Sequence, residues 1–146
     1  STGNGCRTSH KSSIGVLPTN MYIEEGEYSL EDMISSIDEG ILITDIQGLH
    51  AGINATSGDF SLSSNGYLIK HGKIIKPVNQ ITIAGNFYKI LKDIKALGKD
   101  TRFSFPGSNY FGSPSIKIDS LTIAGNWVRD YTLAQFLFYH PIPRVQ

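Results

Sequence analysis

The stretch Asp59-Phe60-Ser61-Leu62-Ser63-Ser64-Asn65-Gly66-Tyr67-Leu68-Ile69-Lys70-His71-Gly72-Lys73-Ile74-Ile75-Lys76 reads as β structure and sets the class of the fold. Phe60 and Leu62 alternate with serines, the two-residue period of a strand with one face buried. Ser64-Asn65-Gly66 has turn composition, and Tyr67 to Lys70 runs on beyond it. His71-Gly72 joins that run to Lys73–Lys76 as a two-residue hairpin loop with glycine second, and His71 is read as a residue that tolerates positive φ. Pro77 either ends the second arm or puts it at a sheet edge, because proline cannot donate to a ladder.

Working outward, Gln80 to Ala84 is a further strand, and Asn86 can cap a helix. Phe87, Ile90, Leu91, Ile94 and Leu97 fall on one face of that helix, with Lys89, Lys92, Asp93 and Lys95 opposite, and Gly98 stops it. Upstream, Ser29 is an N-cap with Asp32 in the capping-box position. Leu30, Met33, Ile34 and Ile37 then make an apolar stripe, Gly40 ends the helix, and Ile41 to Thr44 leaves as a buried strand. Thr19 to Glu24 forms a short strand with Met21 and Ile23 on one face, whereas the first twenty residues read as a surface segment. Short strands follow near 102–105, 115–118 and 121–124, separated by Pro106-Gly107 and Gly112-Ser113-Pro114. The expected fold is a single α+β domain, mostly antiparallel sheet with two amphipathic helices. Ile81 to Asn86 echoes as Leu121 to Asn126, two similar strands with Gly-Asn ends rather than a solenoid.

The 146 residues suit one domain with a real core. Thirteen basic and thirteen acidic side chains cancel, which removes the field expected of a nucleic-acid or anionic-membrane binder. No apolar run is long enough to span a bilayer, no signal peptide is visible, and the lone Cys6 fits a reducing, cytoplasmic setting. A chain opening on Ser1 reads as a fragment or a processed product.

Ser57-Gly58-Asp59-Phe60-Ser61 is the foremost candidate site. Small residues admit a peptide backbone, Asp59 can accept from a substrate N–H or amine, and the hydroxyls of Ser57 and Ser61 orient it. The same residues equally describe a glycine-permitted bend entering a strand. Gly85 and Asn86 offer either an anion site at a helix start or plain N-cap duty. Cys6 beside Arg7 lacks a recognisable base, the Asn54-Ala55-Thr56 sequon lacks a secretion signal, and Glu24, Glu25, Glu27, Glu31 and Asp32 lead favourably into a helix N-terminus. A catalytic zinc needs three protein ligands, and Cys6, His10, His50, His71 and His140 show no helical i, i+4 pair of histidines.

An ordered set of motifs adds to this reading. Ser1-Thr2-Gly3-Asn4-Gly5, residues 26–36, Thr56 to Ser61, Gly66-Tyr67-Leu68-Ile69 with His71-Gly72-Lys73-Ile74, Pro77-Val78 with Ile81 to Asn86, and Ser113 to Ile116 together resemble the C-terminal region of PmbA/TldD proteins, the "modulator of DNA gyrase" peptidases. The pattern is closer to the PmbA (TldE) branch. The resemblance implies a domain over 1–126, followed by an atypical aromatic tail or extension over 127–146, either acquired or read in a shifted frame. It implies a longer protein in which a TldD-like subunit carries a His-Glu-x-x-x-His zinc helix in its central region. The two kinds of subunit then pair to degrade unfolded peptides. This chain has neither that motif nor a cysteine between Lys99 and Ser113, so no cofactor is expected in it. Any zinc would belong to a TldD-like subunit or to an upstream region.

Three readings follow. The first is a non-catalytic peptide-binding and dimerisation domain of a metallopeptidase complex, as a homodimer or with a TldD-like subunit. The second is the C-terminal part of a TldD-like zinc peptidase. The third is an interaction module acting on a partner such as DNA gyrase.

Overall fold

The structure is a computed structural model and describes residues 3–104, 110–125 and 135–138. Strands β1 (Gly5–Cys6) and β2 (Gly15–Val16) pair in the N-terminal segment. Strand β3 (Asn20–Tyr22) precedes helix α1 (Leu30–Ser35). Strands β4 (Glu39–Gln47), β5 (Asp59–Lys70) and β6 (Lys73–Asn86) follow, then helix α2 (Phe87–Lys92). The remaining strands are β7 (Ile94–Leu97), β8 (Arg102–Phe103), β9 (Tyr110–Ser113), β10 (Ile116–Ile118), β11 (Thr122–Ala124) and β12 (Gln135–Phe138). The main sheet has the order β11-β6-β5-β4-β12-β10-β7, and β3-β9-β8 form a small second sheet. This is the α+β fold, rich in antiparallel sheet with two short helices, that the sequence suggested.

The hairpin read at His71-Gly72 forms, and its arms are longer than expected, β5 and β6 pairing from Lys70–Lys73 out to Asp59–Asn86. Its tip has His71 at φ 49° and Gly72 at φ 71°, the two positive angles of a tight primed turn. A Cβ on Gly72 would lie 2.8 Å from the Ser35 carbonyl oxygen, so glycine is required by space as well as by angle. The tip docks on the α1–β4 junction: His71 N donates to Asp38 O at 2.6 Å and Gly72 N to Ile37 O at 2.9 Å. The capping box at Ser29 is also present, with Asp32 N donating to Ser29 Oγ at 3.1 Å and Ser29 N to Asp32 Oδ2 at 3.2 Å.

Several expectations give way to tertiary constraints. Ser64-Asn65-Gly66 is no turn; it is an irregularity inside one continuous strand, where the register of β5 shifts against both neighbours. A Cβ on Gly66 would run into the Leu42 carbonyl oxygen, so the glycine serves close approach of β4 rather than chain reversal. Asn65 Oδ1 accepts from Gln80 N at 3.0 Å, supporting Gln80 at its positive φ of 54°. Pro77 does not end β6. It pairs with Tyr67 on one side only, since β11 reaches no further than Thr82, and the edge alternative is the one realised.

The second helix is shorter than its apolar stripe. It ends at Lys92, capped by Asp93, and Ile94–Leu97 becomes strand β7 because β10 offers it a ladder. Ile90 and Ile94 still pack on the core, but Phe87 and Leu91 stay about half exposed. Gly98 is not a helix stop: its N–H donates to Ser115 O at 2.8 Å, and a Cβ there would strike Asp100. Gly40 does not end α1 either. Ser36 is the C-cap, held by Lys117 Nζ donating to its Oγ at 2.7 Å, and Gly40 lies inside β4. Burial pushes the Lys117 ammonium pKa down, with Asp119 partly opposing. Strand β9 incorporates Gly112-Ser113, expected between strands, whereas the Pro106-Gly107 turn, Ser1-Thr2 and the end of the echo at Asn126 lie outside the described residues.

Two apolar clusters cover the two faces of the main sheet. One gathers Ile41, Ile43, Leu62, Val78, Ile81, Ile83, Ile118, Leu121 and Phe136; the other packs Leu42, Ile69 and Leu137 against Met33 and Ile37 of the α1 region. Of the aromatic tail, Gln135–Phe138 is the strand between β4 and β10; Trp127, Tyr131, Tyr139 and His140 lie outside the described residues. Phe136 faces one cluster and Leu137 the other, both fully buried. Phe136→Ala is therefore expected to cost roughly 3–5 kcal/mol in denaturant unfolding, as for a fully buried phenylalanine; a loss near zero would show that the ring is not in the core.

Candidate functional site

Ser57, Gly58, Asp59 and Ser61 lie where the loop after β4 enters β5, and Gly85 and Asn86 end β6 directly opposite. In register, Asp59 pairs with Asn86, Phe60 with Gly85 and Ser61 with Ala84. The two stretches singled out separately in the sequence are thus one place.

The loop is built from turn chemistry. Asn54 Oδ1 accepts from Thr56 N at 3.0 Å and Ser57 N at 3.1 Å, and Gly58 N donates to Asn54 O at 2.8 Å. Asn54 N in turn donates to Asp59 O at 2.8 Å, closing the loop on the strand. Gly58 has φ 81°, and a Cβ there would come 2.6 Å from the Tyr88 ring. Glycine is needed both for the angle and to admit that ring. In the sequence Asn54 reads as part of a glycosylation sequon; its place three residues before a Ser-Gly pair is the turn signal.

Asn86 ties the loop to α2. Its Oδ1 accepts from Tyr88 N at 3.0 Å and Lys89 N at 3.3 Å, while its Nδ2 donates to Ser57 O at 2.9 Å and Asp59 Oδ1 at 2.8 Å. Phe87 N donates to Gly58 O at 2.8 Å. The first N–H groups of α2 are thus taken up by protein oxygens, so of the two roles weighed for Gly85-Asn86 the geometry displays the N-cap. Gly85 has its own reason: a Cβ would lie 2.8 Å from Leu121 Cδ2 and 3.2 Å from the Phe60 ring.

Strand alternation sorts the side chains of β5. Phe60 packs against the core and Leu62 is buried, while Asp59 and Ser61 are exposed on the other face. Hydrogen bonds from Asn86 first, and Ser57 second, hold the Asp59 carboxyl below its ordinary pKa of 3.8. It is therefore an anion at neutral pH, fixed in place and facing water. A polar groove of about 210 Å³ at the β6–α2 junction is lined by Asn86, Lys89, Asp93, Leu121 and Thr122, without Asp59 or Ser61 in its lining.

The other singled-out residues are dispersed. Cys6 is a half-buried free thiol in β1, His10 and His50 are exposed, and His71 Nδ1 lies 2.8 Å from Asp38 Oδ1 at the hairpin tip. Glu31 and Asp32 occupy the first turn of α1, and Glu24 and Glu25 border an open cleft with Tyr22, Thr101 and Phe103. Among the described residues, no three His, Cys, Asp or Glu side chains are grouped to hold a metal ion, and no helix is long and apolar enough to cross a membrane.

Asn86→Ala removes the α2 cap and the main support of Asp59, and is expected to cost about 1 kcal/mol at neutral pH. Because the folded pKa of Asp59 is depressed, its ionised form stabilises the fold fully above its ordinary pKa, and that contribution is lost as pH falls through the lowered value. The unfolding midpoint of Asn86→Ala should therefore fall less steeply than wild type below about pH 4. Parallel acid limbs would mean that the Asn86–Asp59 bond is not formed in solution.

Residues 1–125 match the family model described as the PmbA/TldA metallopeptidase C-terminal domain. A TldD homologue described as a metalloprotease, from Buchnera aphidicola of Schizaphis graminum, is 35% identical over 136 residues, covering 86% of this chain and 28% of its own length. The crystal structure of TldE from Thermococcus kodakarensis superposes with a TM-score of 0.71 at 33% identity, over 86% of this chain and 28% of that one. A Thermotoga maritima structure, described as a candidate modulator of a DNA gyrase, gives 0.70 at 37% identity over 75% of this chain and 25% of that one. The chain thus spans little more than a quarter of the length of these relatives, whose names come from both branches. It belongs to the PmbA/TldD family of metallopeptidases, as their C-terminal domain.

Proposed function

We propose that this domain holds extended, unfolded peptide for a PmbA/TldD-type metallopeptidase without cleaving it, and that it contributes to pairing with a second, TldD-like subunit or a second copy in the cytoplasm. The supporting observation is the exposed Asp59–Ser61 face. A fixed carboxylate and a hydroxyl stand on one side of a strand end, stiffened by Asn54, Ser57 and Asn86. Such a face offers an acceptor to a peptide N–H or amine, and little reorganisation accompanies binding because the protein's own bonds already hold it. Pairing is supported by α2, which leaves Phe87, Tyr88 and Leu91 about half exposed on one short helix.

Catalytic zinc is assigned to a TldD-like subunit or an upstream region, since this chain has no His-Glu-x-x-x-His. In the full-length two-subunit enzyme, Asp59→Ala should lower peptide turnover several-fold while the domain stays folded by circular dichroism. The isolated chain should retain no stoichiometric zinc after dialysis. Unchanged turnover per folded molecule would make the segment purely structural, and one zinc per chain would contradict the division of labour.

A further inference from the structure

The strand β12 occupies an unusual place. The family match ends at residue 125, yet Gln135–Phe138 sits in the interior of the main sheet. It runs parallel to β4, pairing Gln135 with Gly40, Phe136 with Ile41, Leu137 with Leu42 and Phe138 with Ile43. On its other side it runs antiparallel to β10, pairing Phe136 with Ile118, Leu137 with Lys117 and Phe138 with Ile116. Without it, residues 1–125 would leave β11-β6-β5-β4 and β10-β7 as separate pieces, each with a bare inner edge.

The slot is shaped for such an occupant. Gly40 clears the way for its backbone, since a Cβ there would run into the Gln135 carbonyl oxygen. Ile41, Ile43 and Ile118 surround Phe136 on one face, and Leu42, Ile69, Met33 and Ile37 surround Leu137 on the other. Backbone pairing on both sides gives affinity for any extended segment, and one large apolar side chain toward each face gives selectivity. The covalent connection from residue 125 to the occupant is residues 126–134. Nine residues reach at most about 30 Å, against roughly 19 Å for four strand spacings across the sheet. No tight turn binds β12 to either neighbour, because β10 and β4 are both remote in sequence.

We propose that the gap between Glu39–Gln47 and Ile116–Ile118 is a strand-accepting site, and that Gln135–Phe138 is its docked, exchangeable occupant. The site takes an extended apolar segment parallel to β4, from the same chain or from the tail of a second copy. It is separate from the Asp59 face and does not depend on the function proposed for that face.

The test uses intact chains carrying Cys6→Ser. Chains with Leu42→Cys are mixed with chains with Leu137→Cys under mild oxidation, and the double variant is oxidised alone. Expected are a disulfide within the double variant and accumulation of a cross-linked heterodimer in the mixture. A double variant that closes without any heterodimer would overturn exchange, and one that fails to close would overturn docking. If these buried substitutions prevent folding, the unmodified chain decides. A fluorescent peptide of residues 131–142 should be taken up to one per chain, whereas the same peptide with Phe136→Asp and Leu137→Asp should not. Uptake of neither, or of both equally, would overturn the proposal.

Discussion

Backbone pairing across the middle of the main sheet is the constraint on which this domain rests. A gap in a sheet interior is costly, because each inner edge would bury N–H and C=O groups without partners. Gln135–Phe138 satisfies both edges at once and closes two apolar layers, Phe136 in one and Leu137 in the other. Other features adjust to it. Gly40 is small to admit its backbone, and β10 is held near enough for Lys117 to reach the end of α1.

The candidate site depends on the same frame at one remove. Asp59 and Asn86 face each other because β5 and β6 stay paired from the hairpin tip at His71-Gly72, across the register shifts near Leu68 and Gly66, to their far ends. That register lets one asparagine cap a helix, brace a loop and hold a carboxylate. The glycines beside it belong to the packing: Gly58 admits Tyr88, and Gly85 admits Leu121 and Phe60. Membership in the PmbA/TldD family identifies the chain as the C-terminal domain of that family. The exposed Asp59–Ser61 face is where we propose that its own chemistry is offered.

Features with local causes could be read from the chain directly. The Ser29–Asp32 capping box, the Asn86 cap and the His71-Gly72 turn each need only a few neighbouring residues, and each forms. The inward Phe60 and outward Asp59 and Ser61 followed from alternation alone. What could not be read was decided by distant partners. Ile94 to Leu97 fits a helical stripe, but β10 draws it into the sheet. Ser64-Asn65-Gly66 has turn composition, yet its glycine answers to Leu42 on a neighbouring strand. That Asp59 and Asn86 share a site depended on the register of a hairpin, which no motif displays. The position of Gln135–Phe138 depended on a slot formed by strands far away in sequence.

Amide hydrogen exchange tests the completed sheet most directly. If β12 is its interior strand, the amides of Phe136 and Leu137 should exchange far more slowly than in a free chain, only through undocking of the strand or opening of the whole sheet. Rapid exchange at Phe136 and Leu137, with Leu68 and Ile83 still protected, would contradict the account.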